Sequence, residues 1–413
     1  MSPPLRLTCR CCVVGGGPAG MMLGLLLARA GIDVLVLEKH VDFLRDFRGD
    51  TIHPSTLEVM RELGLLDELL RRPHQEVRRL DAQVGDTTLT IADLSHLPTR
   101  CQFIAMMPQW DFLDFLAEHG RRYPTFQLRM QTEVTDLLHE DERVVGVRAH
   151  APDGLLEVRA ELVVGADGRG SAVRARAGLP TIDLGAPIDV LWMRISKGPG
   201  DPGQTLGRIE RGAILVRIDR GTYWQCAYVI PKDGFVELRE RGLPAFREEL
   251  GRLAPFLRER VGELRDWDDI KLLTVRVDRL RRWHRPGLIC IGDAAHAMSP
   301  IGGVGINLAI QDAVAAANIL TVPLRAGALR EADLHAVQRR RELPTRLTQG
   351  LQVFLQERVI RRVLDAGGGR AELPLLLRLF RRWPSLSRIP ARIFGMGFRP
   401  EHVRESPAGS RGP

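Results

Sequence analysis

Residues 9–38 read CRCCVVGGGPAGMMLGLLLARAGIDVLVLE. The stretch divides into a short apolar run (CRCCVV), a glycine turn (GGGPAG), a helix-length apolar segment, a helix stop at Gly31, and a second apolar run (DVLVLE). That is one strand–helix–strand unit whose strands read as members of a buried parallel sheet. Gly15, Gly17 and Gly20 have G-x-G-x-x-G spacing, with Pro18 and Ala19 inside it, and Glu38 closes the second strand roughly twenty residues on. In this pattern Gly15 permits the tight turn, Gly17 lets main chain approach a pyrophosphate, and Gly20 lets the helix pack on the strand. The helix start offers N–H groups and the positive end of its dipole to phosphate. The acid at Glu38, next to Lys39, accepts from a free ribose hydroxyl, which favours FAD or NAD over NADP.

The three cysteines before the glycines are expected to pack. Alternation puts Cys11 and Cys12 on opposite faces and Cys9 and Cys11 on the same one, and no nearby His or Cys completes a coordination shell. No metal is expected.

The chain has 413 residues, 44% of them hydrophobic, enough to bury a large core in two or three domains. Lys and Arg number 59 against 51 Asp and Glu, a formal charge of +8. The excess is scattered arginine with few aromatic residues, which suits anionic cofactors and argues against nucleic acid. Six cysteines form no disulfide framework, so a reducing cytoplasm is the expected location. No secretory signal or transmembrane run is read from the sequence.

Two distant segments carry related patterns. ELVVGADGRGSAVR, residues 161–174, reads as a buried strand, a turn with Asp167 and Gly168, and a helix. RPGLICIGDAAHAMSPIGGVGINLAIQDAVAAANIL, residues 285–320, reads as a buried strand, Gly292-Asp293, a Pro/Gly loop and a long apolar helix. Together, in this order, the motifs resemble the class A flavoprotein monooxygenases, the para-hydroxybenzoate hydroxylase-like family, over nearly the whole chain.

The resemblance implies an α/β fold: a Rossmann-like FAD-binding domain with an inserted, mainly antiparallel β-sheet for substrate, then C-terminal helices. The divisions are 1–180 and 277–325 for the FAD-binding domain, 181–276 for the inserted sheet, and 326–413 for the helical end and its tail. It also implies that Gly15, Gly17, Gly20 and Glu38 hold the ADP half of FAD. Asp167 and Gly168 serve both FAD and the nicotinamide donor, and Asp293 meets the ribityl chain or pyrophosphate. Arg48 and Gln109 correspond to flavin-side contacts, and Val134 to a backbone contact with adenine. The reaction implied takes electrons from NADPH or NADH, adds O2 to the flavin as a C4a-hydroperoxide, and transfers one oxygen to a hydroxylated aromatic or polyketide-like ring. A reductase or halogenase-like enzyme, or a non-catalytic flavin protein, is the alternative on the same scaffold; the W-x-W-x-I-P segment of halogenases is absent.

The residues fit that chemistry. The helix start at Gly303, Gly305, Ile306 and Asn307 offers N–H groups to a reduced flavin, and Pro300 and its glycines let main chain crowd a planar ring. On the sheet, alternation places Trp224, Cys226 and Tyr228 on one face, Tyr223 and Gln225 on the other, and Trp192 with Arg194. Trp192, Arg194, Trp224, Tyr228 and Pro300 are candidate substrate contacts, with plain core as the alternative reading of the strand residues. His53 is a candidate for binding or deprotonating substrate, weighed against a surface or capping role; His296 reads as structural. The basic, apolar C-terminal helices suit a domain cap or dimer contact, or a peripheral membrane surface. The protein is expected to be a monomer or homodimer.

Overall fold

A computed structural model describes residues 3–44, 50–203, 206–365, 380 and 382–404. Leu5–Val14 and Val34–Leu37 pair in parallel, joined by the helix Pro18–Arg29. Further parallel strands extend the sheet in the order Leu288–Cys290, Gly154–Gly165, Leu5–Val14, Val34–Leu37, Phe126–Arg129. Pro18–Arg29 is buried from Ala19 to Ala28 because it lies between the sheet and the long helix Gly305–Ala326. A helix apolar on all sides needs such enclosure. Gly305–Ala326 is likewise apolar and long enough to cross a membrane by composition, yet most of it is packed inside this fold.

The pleat of the first strand corrects one expectation. Cys11 packs on one side of the sheet, whereas Cys9 and Cys12 both pack on the other. The alternation slips at Arg10, where the N–H groups of Arg10 and Cys11 both donate to the Asp33 carbonyl, each at 3.1 Å. Arg10 Nη1 there donates to Glu161 Oε2 at 3.1 Å and to the Leu324 carbonyl at 2.8 Å, at the end of the long helix. A charged side chain is thus placed beside the orphan carbonyls of a helix C-terminus.

The second sheet has seven strands in the order Lys271–Leu273, Ile188–Ser196, Tyr223–Pro231, Ala213–Asp219, Leu206–Glu210, Arg79–Val84, Thr87–Asp93. Its last two strands come from residues 79–93, outside the 181–276 insertion read from the sequence. The pairing of Leu206–Glu210 with Arg79–Val84 is parallel, and it ties the two parts of the chain together. One face of this sheet buries Leu191, Met193, Ile195, Trp224, Cys226 and Tyr228 under the helix Leu243–Leu253. The opposite face carries Val190, Trp192, Val216 and Ala227.

Candidate functional site

The glycine turn sits where the first strand ends. Gly15 has φ +108°, and a Cβ there would collide with the Ala166 carbonyl at the end of the neighbouring strand, so the turn accepts no side chain. Gly17 occupies the N-cap of Pro18–Arg29 with no side-chain cap and no acid in the first turn, so the helix start is open to an anion. Glu38 lies against this turn: its Oε2 accepts from the Gly16 N–H at 2.8 Å and its Oε1 from the His40 N–H at 3.1 Å. The Thr132 N–H donates to the Glu38 carbonyl at 2.8 Å, which brings Val134 to the same edge. Val134 turns its side chain into the core, whereas Lys39 is exposed.

Gly292 abuts the start of that helix, where a Cβ would stand 3.0 Å from Ala19 Cβ. The three motifs therefore meet at one end of the parallel sheet, as ligand sites in such sheets do. Asp293 Oδ2 accepts from Arg169 Nε at 3.1 Å, which joins the Gly-Asp segment to the Asp-Gly segment. Asp167 itself caps a short helix: its Oδ1 accepts from Ser171 Oγ at 2.5 Å and its Oδ2 from the Val173 N–H at 3.1 Å. Burial pushes the Asp167 carboxyl above its ordinary range against the pull of these bonds. Asp167 thus builds the turn that carries Gly168 and Arg169. Arg169 was not among the sequence candidates, although it stands in the quoted ADGRG.

The Pro/Gly loop is shaped from two sides. Gly302 has φ +77°, with a Cβ position 2.5 Å from the Phe394 ring. Thr51 Oγ1 donates to the Gly303 carbonyl at 2.8 Å. Gly305 opens the long helix, whose N-cap, Val304, supplies no side-chain cap. Ile306 and Asn307 follow, and Asn307 Oδ1 accepts from the His53 N–H at 3.1 Å and from Thr56 Oγ1 at 2.6 Å. Asn307 therefore fastens the loop to the helix start rather than pointing free.

His53 is fully buried, which corrects the surface alternative. It does stand at the N-cap of Pro54–Glu62, where its carbonyl accepts from the Thr56 and Leu57 N–H groups, but its ring makes no cap bond. Its Nδ1–H donates to the Phe394 carbonyl at 2.7 Å. Nε2 is buried with no hydrogen-bond partner among the described residues, and burial pushes the imidazole down to about 4. At neutral pH the ring is uncharged, with a vacant acceptor at Nε2. His296 is structural: its Nε2–H donates to Asp312 Oδ2 at 2.6 Å, and Arg341 Nε donates to Asp312 Oδ1 at 2.9 Å. Burial alone would raise the Asp312 carboxyl, but pairing with His296 and Arg341 outweighs it and holds the group below its usual range.

The Gln109 N–H donates to Asp50 Oδ1 at 3.2 Å, and its side chain is half-buried at the helix start. Asp50 also pairs with the buried Arg220, whose Nε donates to Gln225 Oε1 at 2.9 Å. This link between the FAD-side chain and the second sheet was missed, because nothing local to either residue marks it. Arg48 lies outside the described residues.

The aromatic candidates separate. Trp224 and Tyr228 belong to the core under Leu243–Leu253, where Trp224 Nε1 donates to Asp201 Oδ2 at 2.8 Å and Tyr228 Oη to Glu249 Oε1 at 2.7 Å. Their face of the sheet is filled by that helix. Trp192 lies on the opposite face, with Ile104, Met106, Ala391 and Met396 around it. Arg194 covers the Tyr223 ring at 4.0 Å, at the rim of an open groove shared with Lys271 and Glu263. Pro300 opens the glycine loop.

The glycine cradle, two uncapped helix starts and the acid beside the turn fit FAD. Residues 8–350 match the family model described as FAD binding domain. The chain belongs to this family, as a class A FAD-dependent aromatic hydroxylase. It is 36% identical over 386 residues to 6-methylpretetramide 4-monooxygenase of Streptomyces rimosus, covering 92% of this chain and 91% of that one. Its fold is similar to that of pqsL, a probable FAD-dependent monooxygenase from Pseudomonas aeruginosa, with TM-score 0.72, 24% identity, and 87% and 97% of the two chains covered. The same holds for p-nitrophenol 4-monooxygenase PnpA from Pseudomonas putida, with TM-score 0.74, 21% identity, and 96% and 100% covered. The protein is an FAD-dependent monooxygenase.

Proposed function

We propose that the enzyme hydroxylates an aromatic, polyketide-like ring with electrons from NADPH or NADH. One atom of O2 enters a ring C–H as hydroxyl, and the other leaves as water as the nicotinamide is oxidised. The observation that carries the reading is the likeness to a 6-methylpretetramide 4-monooxygenase along 92% of the chain. Bound FAD supplies the redox and oxygen chemistry. Gly15, Gly17, Pro18, Ala19, Gly20, Glu38 and Lys39 hold its adenosine and pyrophosphate, with the Val134 backbone at the adenine. Gln109, Gly168 and Asp293 lie along the linking chain, and Gly305, Ile306 and Asn307 offer N–H groups to the ring. Gly303, whose N–H donates to the Pro300 carbonyl at 3.0 Å, meets the ring with its main chain instead.

On the substrate side, Trp192 supplies a flat apolar surface against which a fused ring stacks. His53 stays neutral through the physiological range and accepts a hydrogen bond at Nε2 from a substrate hydroxyl. The apolar residues around Trp192 keep water from the reacting centre.

The test is a screen of phenols, quinone precursors and aromatic polyketides for stimulated NAD(P)H oxidation, with mass analysis under 18O2. The expected result is a product heavier by one labelled oxygen. Bound FAD with no substrate-stimulated oxidation across the panel would overturn the reading.

A further inference from the structure

The helix Glu331–Leu355 and the turn after it bury a polar face where an apolar one is ordinary: Gln338, Arg341, Thr345, Thr348, Gln349, Gln352 and Gln356 are all buried. Most of the glutamines grip main chain. Gln349 Nε2 donates to the carbonyls of Asp278 at 2.7 Å and Ala297 at 3.0 Å. Gln352 Nε2 donates to the carbonyls of Ser299 at 3.0 Å and Ile301 at 2.9 Å, and its Oε1 accepts from the Ser299 N–H at 3.1 Å. Gln356 Nε2 donates to Ser299 Oγ at 2.5 Å. Residues 356–360 form a π-helical turn, a local widening that recurs at functional sites.

Resting on the flavin reading above, we propose that Gln352 is a positioning residue for the flavin. It sets the backbone of residues 299–303, and through it the N–H groups of the glycine loop and helix start that meet the ring. Ser299, Pro300 and Ile301 are not part of a strand ladder, so side-chain carboxamides do for this segment what ladder bonds do elsewhere. Among the described residues, Gln352 alone binds both the N–H and the carbonyl of Ser299 and reaches Ile301, one residue before the positive-φ Gly302. A donor placed by such a fixed loop needs no reorganisation when charge develops on the ring.

The test compares Gln352→Met, which keeps length and loses the bonds, with Gln338→Met. Gln338 makes an equivalent grip on residues 281 and 283 instead of the loop, accepting from the Trp283 N–H at 2.9 Å and donating to the Arg281 carbonyl at 3.0 Å. In the holoenzymes, amide exchange of residues 297–303, FAD release on dilution, and the flavin absorbance spectrum are measured beside the melting temperature. Gln352→Met is expected to speed exchange in that segment, shift the spectrum, and weaken FAD retention on the order of tenfold, as loss of one or two net hydrogen bonds implies. Gln338→Met is expected to lower the melting temperature alone. If Gln352→Met does not fold, Gln356→Met, which loses the single bond to Ser299, is expected to show the same pattern at smaller size.

Wild-type FAD retention and spectrum in the folded variant would overturn the proposal, as would an equal change in Gln338→Met. A wild-type chain that takes up no FAD would instead overturn the flavin reading on which the proposal rests.

Discussion

Arg169 Nε donates to Asp293 Oδ2 across 3.1 Å, joining two cofactor segments that lie 124 residues apart. Both groups are about one-third exposed, so water screens the pair and its worth lies in orientation more than in stability. Asp293→Ala and Arg169→Met are each expected to weaken FAD binding by about tenfold. The double variant is expected to lose less than the product of the two, because residues sharing one interaction are not additive. Flavin fluorescence on dilution measures this. Fully multiplicative losses would show that the two residues act on FAD separately.

Gly302 meets two demands at once, a left-handed backbone and a Cβ position 2.5 Å from the Phe394 ring. Gly302→Ala is expected to cost about 1–3 kcal/mol from backbone strain alone, and more from displacement of Phe394. Chemical unfolding reads the loss. Phe394→Ala in the same background is expected to recover the steric part while leaving the backbone part. If the single and double variants were equally unstable, the ring contact would be shown to contribute nothing.

The parallel sheet was legible because its information is local: glycine spacing, apolar runs and Glu38 all fall within residues 9–38. The kink at Arg10 was not, because it depends on Glu161 and on the end of a helix at Leu324. Alternation correctly separated Trp224 and Tyr228 from Gln225, but period two does not say which face meets a helix and which meets the cofactor domain. That is decided by where Leu243–Leu253 lands. The surface or capping reading of His53 had the helix N-cap position right but not the buried ring, whose Nδ1 partner, the Phe394 carbonyl, is 341 residues away. Gln352 and Arg341 were invisible for the same reason: each binds main chain or charge brought near only by the complete fold.

His53 gives the pH dependence a definite sign. Its folded value is depressed to about 4 from an ordinary 6.5, so between those limits the unfolded chain binds a proton that the folded chain refuses. Stability from this group is full above about 6.5 and is lost as pH falls toward 4, on the order of 3 kcal/mol in all. His53→Asn keeps a donor toward the Phe394 carbonyl and cannot titrate. Urea midpoints taken from pH 7.5 to 4.5 are expected to fall more steeply in the wild type than in His53→Asn. Parallel curves would show that the imidazole is not held neutral.

Trp192 and Trp224 stand on opposite faces of one sheet, and their variants are expected to fail in different ways. Trp224→Ala empties a site in a closed core and frees Asp201 from its indole partner, so a loss of about 3–5 kcal/mol is expected. Whatever enzyme remains folded should keep its substrate affinity and its coupling of NAD(P)H oxidation to product. Trp192 borders the apolar surface assigned to the substrate, so Trp192→Ala is expected to raise KM about tenfold or more and to divert reducing equivalents into hydrogen peroxide. Its loss of stability should be the smaller of the two, since the side chain is only partly buried. Stopped-flow coupling measurements beside thermal melts separate the effects. A Trp192→Ala enzyme with unchanged KM and full coupling would move the substrate away from this face of the sheet.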